Sequence, residues 1–222
     1  MAQDNSPYIR QRAQLERKKS GRASHDRVLI VSEGKKTEPL YFEEIRRTYR
    51  LHTANIEVRK SEFGTQPKQV VEYARELFLN GDRHRKIAPR AFERVFAVFD
   101  RDEHRTYHEA LSLAESLNGK LLNDAKQKIE FQAIASVPCF ELWLLLHFEH
   151  IQHPLHRNDA LQRLKQHIPG YEKGLEGTFR LTKDKLNVAS MRARSLAANT
   201  AHHGNEPYTN VDFLVNLLRS FE

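Results

Sequence analysis

The sequence predicts an α/β protein, a parallel-sheet core in the order βαβαβαβ followed by a C-terminal helical extension. Three observations carry this. Val28-Leu29-Ile30-Val31 is a short, all-apolar, β-branched run, the mark of a strand covered on both faces. Strand-like and helix-like segments then alternate as far as about Glu149. Beyond Glu149 only helical periodicity remains.

Taken in order, residues 1–26 carry Arg10, Arg12, Arg17, Lys18, Lys19 and Arg22 around few apolar side chains. They read as a basic, flexible arm with a short helix near Ala13 to Lys18, and such an arm also suits a phosphate backbone. The first strand ends at Ser32-Glu33-Gly34. Thr37 is placed to cap a helix that has Pro39 in its first turn and runs to about Arg50. Ile56 and Val58 alternate with polar residues in a second strand. Val70, Tyr73, Ala74, Leu77 and Phe78 keep helical spacing, and Asn80-Gly81 stops that helix. A third strand, Arg94 to Phe99, leads directly into Asp100. The helix carrying Ala110, Leu113, Ala114 and Leu117 closes near Gly119. A fourth strand spans Ile129 to Ala135, and Pro138 opens an apolar helix through Trp143. Residues 27–150 form this core. Residues 151–222 are the extension packed on it, with helices expected near Asn158 to Ile168, Lys183 to Asn199, and from Val211 with Thr209 or Asn210 as cap. Those helices are too short to stand alone.

The chain of 222 residues has one Cys, which excludes an internal disulfide framework, and its formal charge of +7 suits a polyanionic partner. No basic-then-apolar leader opens it, and the longest apolar run, Phe140 to Phe148, is too short to cross a bilayer and contains Glu141. A cytoplasmic location is expected.

Two features point to chemistry. The first apolar strand ends in Glu33 and the third in Asp100-Arg101-Asp102. In open parallel sheets the C-terminal strand edge is where ligand sites form. Three carboxylates converging in a partly dry cleft repel one another and need a compensating cation, and hard oxygen ligands suit Mg²⁺ or Mn²⁺. Gly34 lets the backbone approach such a site, and Lys35 and Lys36 place positive charge beside it. The competing reading is that each acid caps the loop after its strand. On the residues alone the two stand about even.

At these positions the sequence resembles a known family. Leu29-Ile30-Val31-Ser32-Glu33-Gly34-Lys35-Lys36-Thr37-Glu38-Pro39, Tyr41-Phe42, Phe99-Asp100-Arg101-Asp102-Glu103-His104, Ser136 to Trp143 and the ending Asn205 to Val211 are similar to the RloB family. RloB-like proteins are regarded as relatives of the Toprim domain of topoisomerases, primases and overcoming-lysogenization-defect nucleases. The resemblance implies a Toprim-like catalytic core, with Glu33 in general acid/base work and Asp100 and Asp102 holding Mg²⁺ (or Mn²⁺). It implies a nuclease beside restriction or antiphage systems, acting on RNA such as tRNA or on DNA, with an ATPase or other defence-system subunit and a homo-oligomer as compatible partners. The chain lacks a G-x-x-x-x-G-K-[ST] loop, so nucleotide-driven control would come from another chain.

Glu38 is balanced between a further metal ligand and favourable first-turn charge. Glu141, in an apolar helix, is assigned to the metal cleft or to a cation partner. Arg101 and Lys173 join Gly34, Lys35 and Lys36 as candidate phosphate contacts, and Tyr171 is placed with Lys173 in a Gly-punctuated loop that touches substrate. Cys139 reads as an inert core thiol, and Leu142 to Leu146 as core. His104 and His202-His203 read as surface and loop. Two other functions compete: a non-catalytic nucleic-acid-binding module of a defence complex, and a haloacid-dehalogenase-like phosphatase in which Asp100 carries the phosphoryl group. His104 stands where that phosphatase class has a small Thr or Val.

Overall fold

Strand β1 (Val28–Ser32) is buried along its whole length, as an all-apolar run flanked on both faces requires. The computed structural model describes residues 26–52, 55–101, 105–199 and 207–222. The basic arm, the helix expected near Ala13 to Lys18, Asp102, His104 and His202-His203 therefore lie outside the described residues.

On β1 pack β2 (Ile56–Lys60) on one side and β3 (Arg94–Asp100) on the other, both parallel, with Ile30 opposite Val58 and Phe96. β4 (Glu130–Val137) runs parallel beyond β3, and β5 (Tyr208–Thr209) closes that edge antiparallel, giving the order β2-β1-β3-β4-β5. The period of two sorts the strand side chains cleanly. Val28, Ile30, Phe96 and Val98 enter one hydrophobic cluster. Leu29, Val31, Val95, Ala97 and Phe99 enter the other.

Helix α1 (Thr37–Thr48) covers the first face with Tyr41, Phe42 and Ile45. Helices α2 (Pro67–Asn80) and α3 (Tyr107–Leu117) cover the second. Chain direction across the sheet reverses after β2, which moves the helices from one face to the other while keeping right-handed crossovers. The crevice between β1 and β3 is thereby the switch point where ligands bind in such sheets.

The remaining helices are α4 (Glu141–Leu145), α5 (Arg157–His167), α6 (Thr178–Thr182), α7 (Leu186–Asn199) and α8 (Val211–Arg219), with a 3₁₀ turn at Lys183–Lys185. They share the first cluster with α1: Trp143, Leu164, Phe179, Ala189 and Leu214 all belong to it. The docking is polar as well as apolar. Glu44 of α1 accepts the Phe179 and Arg180 N–H groups at 3.0 and 3.2 Å, and the Trp143 Nε1–H donates to the Tyr41 hydroxyl at 2.9 Å. No helix among the described residues is long and apolar enough to cross a membrane.

Several local expectations are corrected. Lys36, not Thr37, is the cap residue of α1, and it makes no side-chain capping bond; Pro39 still falls in the first turn, where its missing N–H costs nothing. The helix expected to open at Pro138 starts only at Glu141 and spans five residues, Glu141–Leu145. Strand structure does return after Glu149, as the two-residue β5. Residues 178–182 form a short helix where none was expected.

Candidate functional site

Each acid near the switch point is delivered by the end of a regular element. β1 hands the chain to Glu33, whose N–H donates to the Val98 carbonyl at 2.8 Å, so the strand pairing continues one residue past Ser32. Across the crevice, the Asp100 N–H donates to Glu33 Oε2 at 3.1 Å. A carboxylate from the first strand is thus held against the end of the third. Asp100 itself is buried.

Two more carboxylates reach the same place. Glu38 sits in the first turn of α1 and Glu141 opens α4; both are buried, and both line, with Glu33 and Asp100, a cavity of about 360 Å³. Gly34 makes room for one of them. A methyl group built there would lie 1.8 Å from Glu38 Oε2, so any larger residue displaces that carboxylate.

Positive charge rims the acids. Lys35 and Lys36 are exposed and line the cavity from the β1–α1 loop, while Arg157 lines it from the start of α5 and Lys173 from the loop between α5 and α6. The Lys173 Nζ lies 3.7 Å from Glu141 Oε1. Burial works against the ammonium, but Glu141 and Asp100 outweigh it and hold its pKa above the ordinary lysine range. The loop bearing Lys173 is fixed on both sides. Gly174, at φ +85°, packs so close to Lys36 that an added Cβ would meet the Lys36 Cβ at 2.6 Å.

The carboxylates surround the cavity instead of meeting at one point. Among the described residues, no three His, Cys, Asp or Glu side chains are gathered closely enough to hold a metal ion. Arg101 is not among the lining residues; its guanidinium stands 6.0 Å from the Tyr107 ring centroid. Side chains alternate along an extended segment, so the neighbour of Asp100 is turned away from the crevice.

A family model described as RloB-like protein matches residues 28–218. The chain belongs to the RloB-like family. Comparison with curated proteins and with solved structures gives no match. The family match spans the sheet that carries Glu33 and Asp100, the helix that carries Arg157 and the loop that carries Lys173, so the RloB-like unit includes every described wall of the cavity.

Two RloB-like positions behave differently from, or were absent from, the sequence reading. Tyr171 does not face solvent: it is fully buried and its hydroxyl donates to Glu141 Oε1 at 3.4 Å. Burial, with Glu141 nearby, pushes its pKa up, so it stays a neutral donor that orients the acid. Arg157 was missed, because a cation opening an ordinary surface helix gives no local signal of what that helix will pack beside. Cys139 is buried, and burial first, then Glu141 and Asp100, push its thiol well up, which leaves it protonated and inert.

Proposed function

We propose that this RloB-like protein is a nuclease that hydrolyses phosphodiester bonds in RNA or DNA, in antiphage defence, with Mg²⁺ or Mn²⁺ as cofactor. The observation that carries the reading is the meeting of Glu33 and Asp100 across the switch point, with Glu38 and Glu141 on the same cavity and lysines at its rim.

In chemical type the donors suit a hard divalent cation, being all carboxylate oxygen, and Gly34 leaves the Glu38 carboxylate the place a side chain would take. Among the described residues no three of them are gathered about one point, so ion binding would need them to draw together. Asp100 and Asp102 would hold the ion, with Glu38 and Glu141 as further ligands. When bound, the ion would supply charge neutralisation at the phosphate and a more acidic water.

This chain's own residues do the rest. Glu33 acts as general acid/base, its carboxylate oriented by the Asp100 N–H so that one oxygen stays committed to the backbone. Lys35, Lys36 and Lys173 bind non-bridging phosphate oxygens, and the α1 N-terminus adds its dipole. Arg101 is assigned to the nucleic-acid backbone outside the cavity.

The test incubates purified protein with labelled tRNA, single-stranded RNA, plasmid and single-stranded DNA, in Mg²⁺, Mn²⁺ or EDTA. Cleavage in metal, lost in EDTA and in Asp100→Ala and Glu33→Ala, is the expected result. Binding without cleavage of any substrate, also with activating partner subunits present, would replace the hydrolase with a non-catalytic binding module.

A further inference from the structure

We propose that the outward face of the helical run through α6 and α7 is a docking site for an acidic helical segment of a second, different polypeptide, packed in the manner of a two-stranded coiled coil. No residue of that run lines the cavity, so the inference does not depend on the nuclease reading.

Helical residues continue without a break from Thr178 to Asn199, through α6, the 3₁₀ turn and α7. Their inward face has its partners: Phe179, Leu186, Ala189, Ala193 and Leu196 are buried in the first hydrophobic cluster. The outward face is apolar as well. Met191 and Leu181 are the most exposed large apolar side chains among the described residues, at 65% and 57%, and the exposed Val188 lies between them. A surface helix carries one apolar stripe; a helix apolar on both sides belongs between two partners.

The outward stripe has a coiled-coil repeat. Leu181, Val188 and Ser195 fall seven apart, with Asp184, Met191 and Ala198 three residues after each. All six are exposed, at the spacing of the a and d positions of a heptad. The flanking e and g positions are Arg180, Lys185, Asn187, Arg192 and Arg194, four cations and no acid. Three of these cations are held beside the stripe. The Lys185 Nζ stands 4.4 Å from the Phe148 ring centroid, Arg192 donates to the Leu146 carbonyl at 2.8 Å, and Arg194 pairs with Asp212 at 3.1 Å.

Charge selects the occupant, because e and g residues meet their counterparts across the seam and set partner choice. A second copy would set cation against cation. Outside the described residues, segment 1–25 has a basic excess and segment 200–206 has no large apolar side chain. The complement is a helix with an apolar seam and carboxylates on its flanks. Asp184, the one acid on the stripe, would fix the register of that pairing, as a lone polar seam residue does.

Binding to the full chain is read by fluorescence anisotropy with two labelled synthetic helical peptides. Both carry Leu at a and d; one has Glu and the other Lys at e and g. The Glu peptide should bind at least about tenfold tighter than the Lys peptide, with the margin shrinking as salt is raised. Val188→Ser together with Met191→Ser should weaken the Glu peptide about tenfold. Arg180→Glu together with Lys185→Glu should reverse the preference. Leu122→Ser, at an exposed leucine outside the run, should change neither. Thermal unfolding checks that each variant is folded. Equal binding of the two peptides overturns the proposal, as does binding of the Glu peptide unaltered by the Val188 and Met191 changes. A wild-type dimer in sedimentation that those changes dissociate would give the stripe to a second copy. Binding to anionic phospholipid vesicles that those changes abolish would give it to a membrane. Either result overturns the acidic partner.

Discussion

Replacing Gly34 by Ala tests whether Glu38 is a positioned group or only a favourable first-turn charge. The backbone of Gly34 is outside the left-handed region, so Ala meets no conformational strain. The new methyl would sit 1.8 Å from Glu38 Oε2 and 2.6 Å from its Cδ. Ordinary contact is about 3.5 Å, so the carboxylate must withdraw by more than ~1 Å. Stability should hardly notice. Losing a glycine from the unfolded chain gains about 0.4–1 kcal/mol, and pushing a glutamate off its rotamer costs about 0.5–1.5 kcal/mol, so the net lies within about 1 kcal/mol. Activity should notice strongly, because a misplacement near 1 Å in a reacting constellation costs on the order of 100-fold. The assay is a double-mutant cycle with Glu38→Ala, reading urea unfolding and metal-dependent cleavage. Gly34→Ala should lower cleavage on the order of 100-fold alone and add almost nothing in the Glu38→Ala background. Equal loss in both backgrounds would show that the methyl acts somewhere other than Glu38. A stability loss of several kcal/mol would show that the cavity cannot yield as its geometry requires.

Three further outcomes follow from the same structure. Tyr41→Phe orphans the buried Trp143 indole N–H and should cost about 1–3 kcal/mol, seen as a lower calorimetric midpoint. His147 is buried and desolvation pushes its pKa down to about 4. Its folded form therefore resists the proton that the unfolded chain accepts from about pH 6.5 downward. Stability should be unaffected by this group above that value and fall as the medium is acidified towards pH 4, by about 3 kcal/mol in all; the wild-type loss over this window should exceed that of His147→Leu in urea unfolding. Mg²⁺ should raise the thermal midpoint of the wild type, since an ion that binds only the folded state stabilises it by mass action, and Asp100→Ala should show no such rise.

The α/β half was legible because its strands are buried on both faces and so write themselves as continuous apolar runs. Where such a run stops at an acid, as at Glu33 and Asp100, the site stands out too. Glu38 and Glu141 were legible for a second reason, each lying within a turn of a strand end. What stayed hidden depends on tertiary packing. β5 and α6 are too short to display a period, so Tyr208 and Phe179 gave no warning of their partners. Tyr171 sits among glycines that signal an exposed loop, yet the loop folds inward against Glu141. Arg157 reaches the cavity only because α5 packs against α4. Thr37 is a better capping residue than Lys36 in isolation, so the cap position of α1, one residue earlier and without a side-chain bond, left no mark in the sequence.

One hydrophobic cluster unites α1, the face of β1 bearing Val28 and Ile30, and all five C-terminal helices. A chain trimmed after Glu149 would strip the covering from Tyr41, Phe42 and Trp143 and hand a greasy, sticky slab to water. Such a fragment should precipitate, which limits how far homologues can be shortened, spliced or permuted without losing the whole fold.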